Sequence, residues 1–150
     1  MSASASDTLR AAGLRRTPAR VAVLARIEAL DRPVTHGELI HEPDLGGLDD
    51  ITLYRTLGAL VEARLVHRVH GIDGTWRYCA QPRDAAGCPG NHAHFLCTAC
   101  GAMRCLTGQP MPRVAVPDGA EVHGRHFLVH GRCASCVASP RASPRPGGTA

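Results

Sequence analysis

Apolar residues recur at helical spacing through much of the first half of the chain. Thr17 and Pro18 form an N-cap followed by a proline at the first helical position, and they open a helix whose apolar residues continue to position 30. Another helix is expected to start at Asp49 or Asp50. Its apolar stripe, which we expect to be buried, consists of Leu53, Leu57, Leu60 and Val61.

Two shorter helices are predicted from capping residues. Ser6 or Asp7 can cap a helix that ends at Gly13, because short polar side chains satisfy the first backbone N–H groups and glycine readily ends a helix. Thr35 and Glu38 have the spacing of a capping box, in which each side chain accepts a hydrogen bond from the backbone of the other residue. The first half of the chain is therefore predicted to be mainly helical.

The pattern changes from helical to loosely alternating after the last of these helices. Residues 65–70 and 75–80 have the pattern of two strands, and Asp73-Gly74 between them is a hairpin-turn signal. Helices followed by such a hairpin are typical of a winged helix, whose last helix fits the DNA major groove, about 12 Å wide. Residues 7–80 are therefore predicted to form a winged-helix DNA-binding domain, with protein–protein binding as the alternative use of the same fold.

Polar and basic side chains in this half are candidates for DNA contact. The side of the last helix opposite its apolar stripe is expected to carry Thr52, Arg55, Thr56 and Glu62. Arg55 can bond a guanine or a phosphate, and Tyr54 can contact a thymine methyl group. Arg15 and Arg20 belong to a run of arginines with no acid between them, which permits binding to phosphate.

Composition indicates a need for stabilisation beyond the hydrophobic core. The chain has 150 residues with a net charge of +4, and it is 44% hydrophobic but only 3% aromatic, so its cores are small. It has seven cysteines and nine histidines. The sequence has neither an apolar stretch of about 20 residues nor a signal peptide, so we expect a cytoplasmic protein that does not bind membranes. Cysteines in that compartment favour metal binding over disulfides.

Two C-x-x-C pairs are the strongest chemical signal in the sequence. A C-x-x-C turn places two thiolates at adjacent corners of a tetrahedron, and two such turns complete a closed four-sulfur site. Redox dithiols and iron–sulfur ligation are the alternatives. The sequence therefore predicts a structural zinc site formed by Cys97, Cys100, Cys133 and Cys136.

Other histidines and cysteines suggest a second site between the two halves. His92 and His94 are two residues apart, so in a strand their imidazoles point to the same face. His67 and Cys79 lie on the two wing strands and are expected to be roughly opposite each other, given a register slip or a bulge. Cys105 follows the first cysteine pair at the end of a short strand. A metal held by both groups would lie at the joint and change the angle between the halves.

Taken together these motifs resemble the ferric uptake regulator (Fur) family of metal-sensing repressors. The segments that carry the resemblance are residues 12–15 with 17–20, 51–57, 74–78, 92–101 and 131–136. The resemblance implies an α+β fold in which a small α/β dimerisation domain with the four-cysteine zinc site follows the winged helix. It also implies that the regulatory ligands are His67, Cys79, His92, His94 and Cys105. A four-coordinate metal leaves one of these five spare or alternating.

Within the family the sequence is most similar to zinc uptake regulators, because a cysteine stands at position 79 where iron sensors usually have a carboxylate. Thiolates and imidazoles are also a soft set that suits zinc. The expected function is a homodimeric, zinc-responsive repressor that binds palindromic operator DNA of zinc-uptake genes and holds about two zinc ions per subunit, without catalysis and without a small organic ligand. Sensing of iron, nickel or manganese is an alternative, and a zinc-trafficking or protein-interaction module is another.

The remaining segments are assigned from composition and proline content. Residues 1–6 and 137–150 are expected to be disordered, 81–91 to be a linker, and 92–136 to form the metal-binding dimerisation domain. Prolines make residues 107–118 a poor helix, so the dimer interface is expected to be smaller than usual for the family. Cys88 is expected to be a thiol without a ligand role. No role is assigned to His123, His126 and His130.

Overall fold

A computed structural model describes residues 4–80, 92–109, 111–123 and 125–140. Its first half contains four α-helices, a 3-10 helix at Pro43–Leu45 and a short strand. These are α1 (Ala5–Ala11), α2 (Pro18–Leu30), β1 (Val34–Thr35), α3 (His36–Ile40) and α4 (Asp50–Glu62). The wing strands β2 (Val66–His70) and β3 (Trp76–Ala80) follow. The predicted order of helices and hairpin is therefore confirmed. Strand β1 was not predicted, because two residues are too few to show a strand pattern.

Helix caps explain where most of these helices begin. Thr17 caps α2, Asp49 caps α4, and Thr35 with Glu38 forms the predicted capping box at α3. The prediction for α1 was wrong, because its cap is Ser4 rather than Ser6 or Asp7. The Ser4 side chain accepts a hydrogen bond from the backbone of the third helical residue, and Ala5 is buried in the core. The helix thus begins inside the segment 1–6 that was expected to be disordered.

The buried face of α4 differs slightly from the predicted stripe. Leu53, Leu57 and Leu60 are fully buried, whereas Val61 is only partly buried. Thr56, which was expected on the exposed side, is buried instead. At about 100° per residue, Thr56 lies about 60° from Leu53 around the helix axis and Val61 about 80° on the other side. The core therefore covers the threonine more fully than the valine.

The wing is a regular antiparallel hairpin within a three-stranded sheet of order β1-β3-β2. Its register runs without interruption from Val66 opposite Ala80 to His70 opposite Trp76. The register slip or bulge that we expected near His67 is therefore absent from the hairpin.

The second half is a small α+β unit. Strands β4 (Ala93–Cys97), β5 (Met103–Leu106) and β6 (Phe127–Gly131) form a sheet of order β5-β4-β6, followed by α5 (Ala134–Ala138). Strand β4 is antiparallel to β5 and parallel to β6. The described residues between β5 and β6 contain no helix or strand, as the prolines predicted. Helix α5 continues to position 138, so it enters the segment 137–150 that was expected to be disordered.

Two hydrophobic clusters hold the fold together. The larger one contains the helices of the first half and both wing strands, whereas the smaller one joins Val69 of the wing to Leu96, Met103 and Leu128 of the second sheet. The proposed linker 81–91, with Cys88, and residues 141–150 lie outside the described residues. In the part of the chain that is described, no helix has the length and apolar character that crossing a membrane requires.

Candidate metal centres

The four cysteines of the two C-x-x-C pairs come together at one end of the second sheet. Cys97 ends β4, Cys100 lies in the turn that follows, Cys133 is the residue before α5, and Cys136 is inside that helix. Their sulfur atoms all lie within 4.8 Å of one another, and the Sγ atoms of Cys100 and Cys133 are 3.9 Å apart. This arrangement brings together all four predicted ligands of the structural site.

Backbone groups prepare this cluster for a cation. Burial would raise the pKa of Cys97, but N–H groups of Cys100, Cys133 and Ala99 outweigh it and lower the pKa to about 6. The backbone N–H of Cys133 donates to the Cys97 Sγ over 3.2 Å, and that of Cys100 over 3.5 Å. The contact with the Cys133 thiol raises the pKa of Cys136. Four thiolates this close repel one another unless a cation compensates their charge, so the residues fit a tetrahedral metal.

A second cluster of possible ligands lies where the wing meets the second sheet. One nitrogen atom each of His67, His92 and His94 lies within 4.8 Å of the others. The His92 and His94 ring centroids are 4.5 Å apart, and each is about 6 Å from His67, at 5.9 and 5.8 Å. His67 comes from β2, whereas His94 comes from β4. The three imidazoles therefore join the two halves of the chain.

The two remaining predicted ligands lie beside this cluster. Cys79 is directly opposite His67 in the wing, and Cys105 is directly opposite His94 in the second sheet. The Cys79 and Cys105 Sγ atoms are 3.8 Å apart. In the described part of the chain, the 4.8 Å distance that joins the three imidazoles does not extend to the Cys79 and Cys105 sulfurs. The structure thus assembles all five predicted residues as three histidines next to a thiol pair.

The electrostatics of this cluster suit a metal ion. Burial lowers the pKa of His67 from 6.5 to about 4; a thiolate at Cys105 acts in the opposite direction, and the His94 and His92 rings lower the pKa further. At neutral pH the His67 imidazole is therefore uncharged, as a metal ligand must be. The His94 Nε2 atom is buried and has no hydrogen-bond partner among the described residues. A cation would satisfy this atom, so the donor set fits a soft divalent metal.

The candidate DNA-contacting residues divide into exposed and partly covered side chains. Tyr54 is 69% exposed on α4, and Arg55 beside it is also exposed. Thr52 is half-buried, and its hydroxyl donates to the Asp49 carboxylate that caps the helix. Arg15 is exposed, whereas Arg20 is half-buried and donates to the Arg15 carbonyl over 3.1 Å. Tyr54, Arg55 and Arg15 are therefore the candidates whose side chains are exposed.

Comparison with known proteins identifies the family. The sequence profile of the Ferric uptake regulator family matches residues 11–113, which is more than half of the chain. This chain belongs to the ferric uptake regulator family. Members of the Fur family are metal-responsive transcriptional regulators that bind DNA as dimers, and they are not enzymes.

Curated relatives of this Fur-family chain come from mycobacteria. The transcriptional regulator FurA of Mycobacterium tuberculosis is 28% identical over 148 residues, which cover 94% of this chain and 95% of FurA. Ferric uptake regulation protein 1 of Mycolicibacterium fortuitum is 35% identical over 118 residues, which cover 73% of this chain and 67% of the relative.

Solved structures of Fur-family proteins share the fold. The ferric uptake regulator of Vibrio cholerae superposes with a TM-score of 0.61 at 19% identity, covering 85% of this chain and 98% of that protein. A zinc uptake regulator in complex with zinc and DNA gives a TM-score of 0.54 at 22% identity, covering 88% and 89%. At these identities the likeness shows the architecture, with an N-terminal DNA-binding domain and a C-terminal dimerisation domain.

One residue at the joint between the halves of this Fur-family chain was not predicted from the sequence. Arg77 was noted only as part of a family motif, yet its side chain is 3% exposed and contacts both halves. A signal was present, because Asp73 stands four residues before Arg77 at the hairpin turn and supplies a carboxylate for a buried guanidinium. The acceptor in the second half could not be found this way, since it is a backbone carbonyl.

Proposed function

We propose that this Fur-family protein is a zinc-responsive repressor that binds palindromic operator DNA of zinc-uptake genes. The observation that carries the proposal is the donor set at the joint. Among the described residues it offers imidazole nitrogens and thiol sulfurs, from His67, His92, His94, Cys79 and Cys105. Such a soft set favours zinc over iron(II) or manganese(II), which favour oxygen ligands.

Each subunit would hold about two zinc ions. Cys97, Cys100, Cys133 and Cys136 would bind the structural ion, because a closed four-sulfur site leaves no open position for exchange or catalysis. Four of the five residues at the joint would bind the regulatory ion. When bound, zinc would supply a Lewis-acid centre that accepts electron pairs from imidazoles and thiolates of both halves.

Regulation follows from where the regulatory residues are attached. His67 and Cys79 belong to the wing, whereas His94 and Cys105 belong to the sheet of the dimerisation domain. When these side chains are held together, the wing and the helix α4 beside it keep one orientation relative to the dimer. In that orientation the two copies of α4 would have a fixed spacing that fits a palindrome. To raise the share of molecules in this orientation from 1% to 99%, zinc must bind this orientation more favourably than the others by about 5.5 kcal/mol.

Metal content and DNA binding test this proposal together. We expect about two zinc ions per subunit in the wild type and about one in Cys79→Ser. The wild type should retard an AT-rich palindromic duplex only in the presence of zinc, and Cys79→Ser should not respond. His130→Gln, which replaces an exposed histidine of β6, is the matched control and should behave as the wild type. A Cys79→Ser protein that keeps both ions and its zinc response contradicts the proposal.

Iron sensing is the second candidate, and the names of the relatives favour it. Both mycobacterial relatives are named as Fur or ferric uptake regulators. The same retardation assay with iron(II) under anaerobic conditions separates the two functions. Retardation with iron(II) but not with zinc would support the iron sensor.

A further inference from the structure

Arg77 connects the wing to the turn of the four-cysteine centre. Its guanidinium holds the Asp73 carboxylate through both terminal nitrogens, with Nη2 donating over 2.8 Å and Nη1 over 3.1 Å. The same Nη2 also donates to the Gly101 carbonyl over 2.9 Å. Asp73 belongs to the hairpin turn of the wing, whereas Gly101 directly follows the ligand Cys100. One buried guanidinium therefore bonds both halves of the chain.

The position of the Gly101 carbonyl depends on the cysteine turn. Gly101 has φ +76°, which glycine adopts without strain, and its N–H donates to the Cys97 carbonyl over 2.8 Å. The Cys97 N–H in turn donates to the Ala102 carbonyl over 2.9 Å. Closing the four-cysteine site holds both ends of this turn, since Cys97 and Cys100 are two of its ligands. The acceptor for Arg77 is thus positioned by the structural centre.

The wing approaches the second sheet closely around this contact. A Cβ atom added at Gly71 would clash with the Asp73 carboxylate and would lie 2.7 Å from Arg77 Nη1 and 3.2 Å from a methyl carbon of Leu96. Leu96 is the neighbour of Cys97, and it packs with Val69 of the wing and Met103 of β5. This seam of Arg77, Gly71, Val69, Leu96 and Gly101 uses none of the five residues proposed to bind the regulatory ion.

We propose that Arg77 is a positioning residue that couples the four-cysteine centre to the wing, so that closure of the structural site sets the geometry of the regulatory site. Arg77 lies between Trp76 and Tyr78 on β3, two residues from Cys79, and Leu96 lies two residues from His94 on β4. Without the bonds from Arg77 to Asp73 and Gly101, β3 and β4 can separate. The sulfur and imidazole ligands on these strands then move apart. The structural ion would then act on the regulatory site through the wing. This inference rests on the proposed function for its second site only.

The test uses Arg77→Lys in the full chain. Lysine keeps the charge but has no planar fork, so it cannot reproduce the two hydrogen bonds to Asp73 together with the bond to the Gly101 carbonyl. With one zinc per subunit verified, we expect backbone amides of residues 71–75 and 97–102 to exchange about tenfold faster, the effect of losing one hydrogen bond to a charged group. Amides of α2 and α4 should be unchanged. The zinc dissociation constant of the regulatory site should rise about tenfold.

A control at another arginine and a second variant at the joint separate a coupling role of Arg77 from a general effect on stability. Arg104→Lys changes an exposed arginine of β5 and should leave exchange and zinc affinity unaltered. Gly71→Ala should reproduce the Arg77→Lys pattern by displacing the Asp73 carboxylate and the guanidinium bound to it, whereas Gly47→Ala, where an added Cβ meets nothing within 4 Å, should not. Exchange that accelerates equally in α4 would mean that Arg77 only stabilises the fold and would overturn the proposal. Unchanged exchange in both Arg77→Lys and Gly71→Ala would also overturn it.

The two proposals fail in different ways. In a Cys79→Ser background the exchange measurement needs zinc only at the four-cysteine centre. If Cys79→Ser leaves the regulatory function intact, the ligand assignment is wrong while the exchange pattern still tests Arg77. If Cys79→Ser abolishes zinc sensing but Arg77→Lys changes neither exchange nor zinc affinity, the coupling is wrong and the proposed function stands.

Discussion

His67 lies directly opposite Cys79 across the wing hairpin, with every residue pair on either side of them in register. Side chains that face each other across antiparallel strands lie on the same face of the sheet. The two candidate ligands from the wing therefore point together toward the second sheet, where His94 and Cys105 are paired in the same way. The joint is thus formed by two cross-strand pairs, each with one imidazole and one thiol.

Acid should destabilise the protein through His67 when zinc is bound only at the four-cysteine centre. Burial lowers the pKa of this side chain to about 4, while the unfolded chain keeps a value near 6.5. The unfolded state therefore binds a proton first, so the contribution of His67 to the free energy of unfolding should be constant above about pH 6.5 and fall between pH 6.5 and 4. The slope for one such proton is at most about 1.4 kcal/mol per pH unit.

Urea unfolding at pH 7 and pH 5, with zinc bound only at the four-cysteine centre, checks this expectation. His67→Gln should lose less stability between the two pH values than the wild type, because glutamine does not titrate. His130→Gln should behave as the wild type. An identical pH dependence in all three proteins would show that His67 is not the titrating group.

Replacing Arg55 should weaken DNA binding without affecting metal. Arg55 is exposed on α4, so replacing it should change the free energy of unfolding little. Arg55→Ala should weaken binding to the palindromic duplex by about 1–3 kcal/mol if the side chain bonds a guanine edge. If it contacts a phosphate, the loss should be similar on all sequences and the salt dependence should decrease.

Gel retardation at several salt concentrations, with zinc content measured on the same samples, distinguishes these cases. Arg104→Ala is the control, because it removes an exposed arginine from β5. A loss of zinc in Arg55→Ala would mean that α4 carries out a different role from the one proposed.

Local chemistry made much of this fold predictable. Thr17, Thr35 and Asp49 cap their helices as the sequence indicates, because a cap involves residues only two or three positions apart. The two C-x-x-C pairs were equally readable, since each turn fixes two sulfurs locally. The loosely alternating pattern on both sides of the Asp73-Gly74 turn was enough to place the two wing strands.

Long-range geometry could not be read in the same way. The register of His67 against Cys79 depends on how the turn closes, and a sequence with one turn signal permits more than one pairing. Thr56 was misplaced because a polar residue within a buried arc of α4 has no pattern of its own. The acceptor of Arg77 is the backbone of Gly101, 24 positions later, and backbone carbonyls leave no mark in a sequence.

The capping box at α3 should contribute measurably to stability. The Glu38 N–H donates to the Thr35 hydroxyl over 3.0 Å, and the Thr35 N–H donates to the Glu38 carboxylate over 2.8 Å. Thr35→Ala should lower the free energy of unfolding by about 1 kcal/mol, whereas Thr35→Ser should retain most of it. Urea unfolding at pH 7 with zinc present measures both. Equal stability of the alanine and serine variants would contradict the assignment of the cap.

Loss of one cysteine from the structural centre should unfold the second half before the first. Cys133 and Cys136 attach the chain after β6 to the end of β4, so the site closes the loop that carries β5 and β6, and the hydrophobic cluster of this sheet is small. The core of α2 and α4 is a separate hydrophobic cluster. In Cys136→Ser we therefore expect loss of the structural zinc and fast amide exchange in β4, β5 and β6, while α2 and α4 remain protected.

Zinc content and amide exchange measured on the same preparation check this order of unfolding. Ser135→Ala changes an exposed neighbour between the two cysteines and should keep both zinc and protection. Exchange that rises equally in α4 and β4 would mean that the two clusters unfold as one cooperative unit. A Cys136→Ser protein that retains its zinc would show that three sulfurs suffice, and the site would then resemble an open centre rather than a closed structural one.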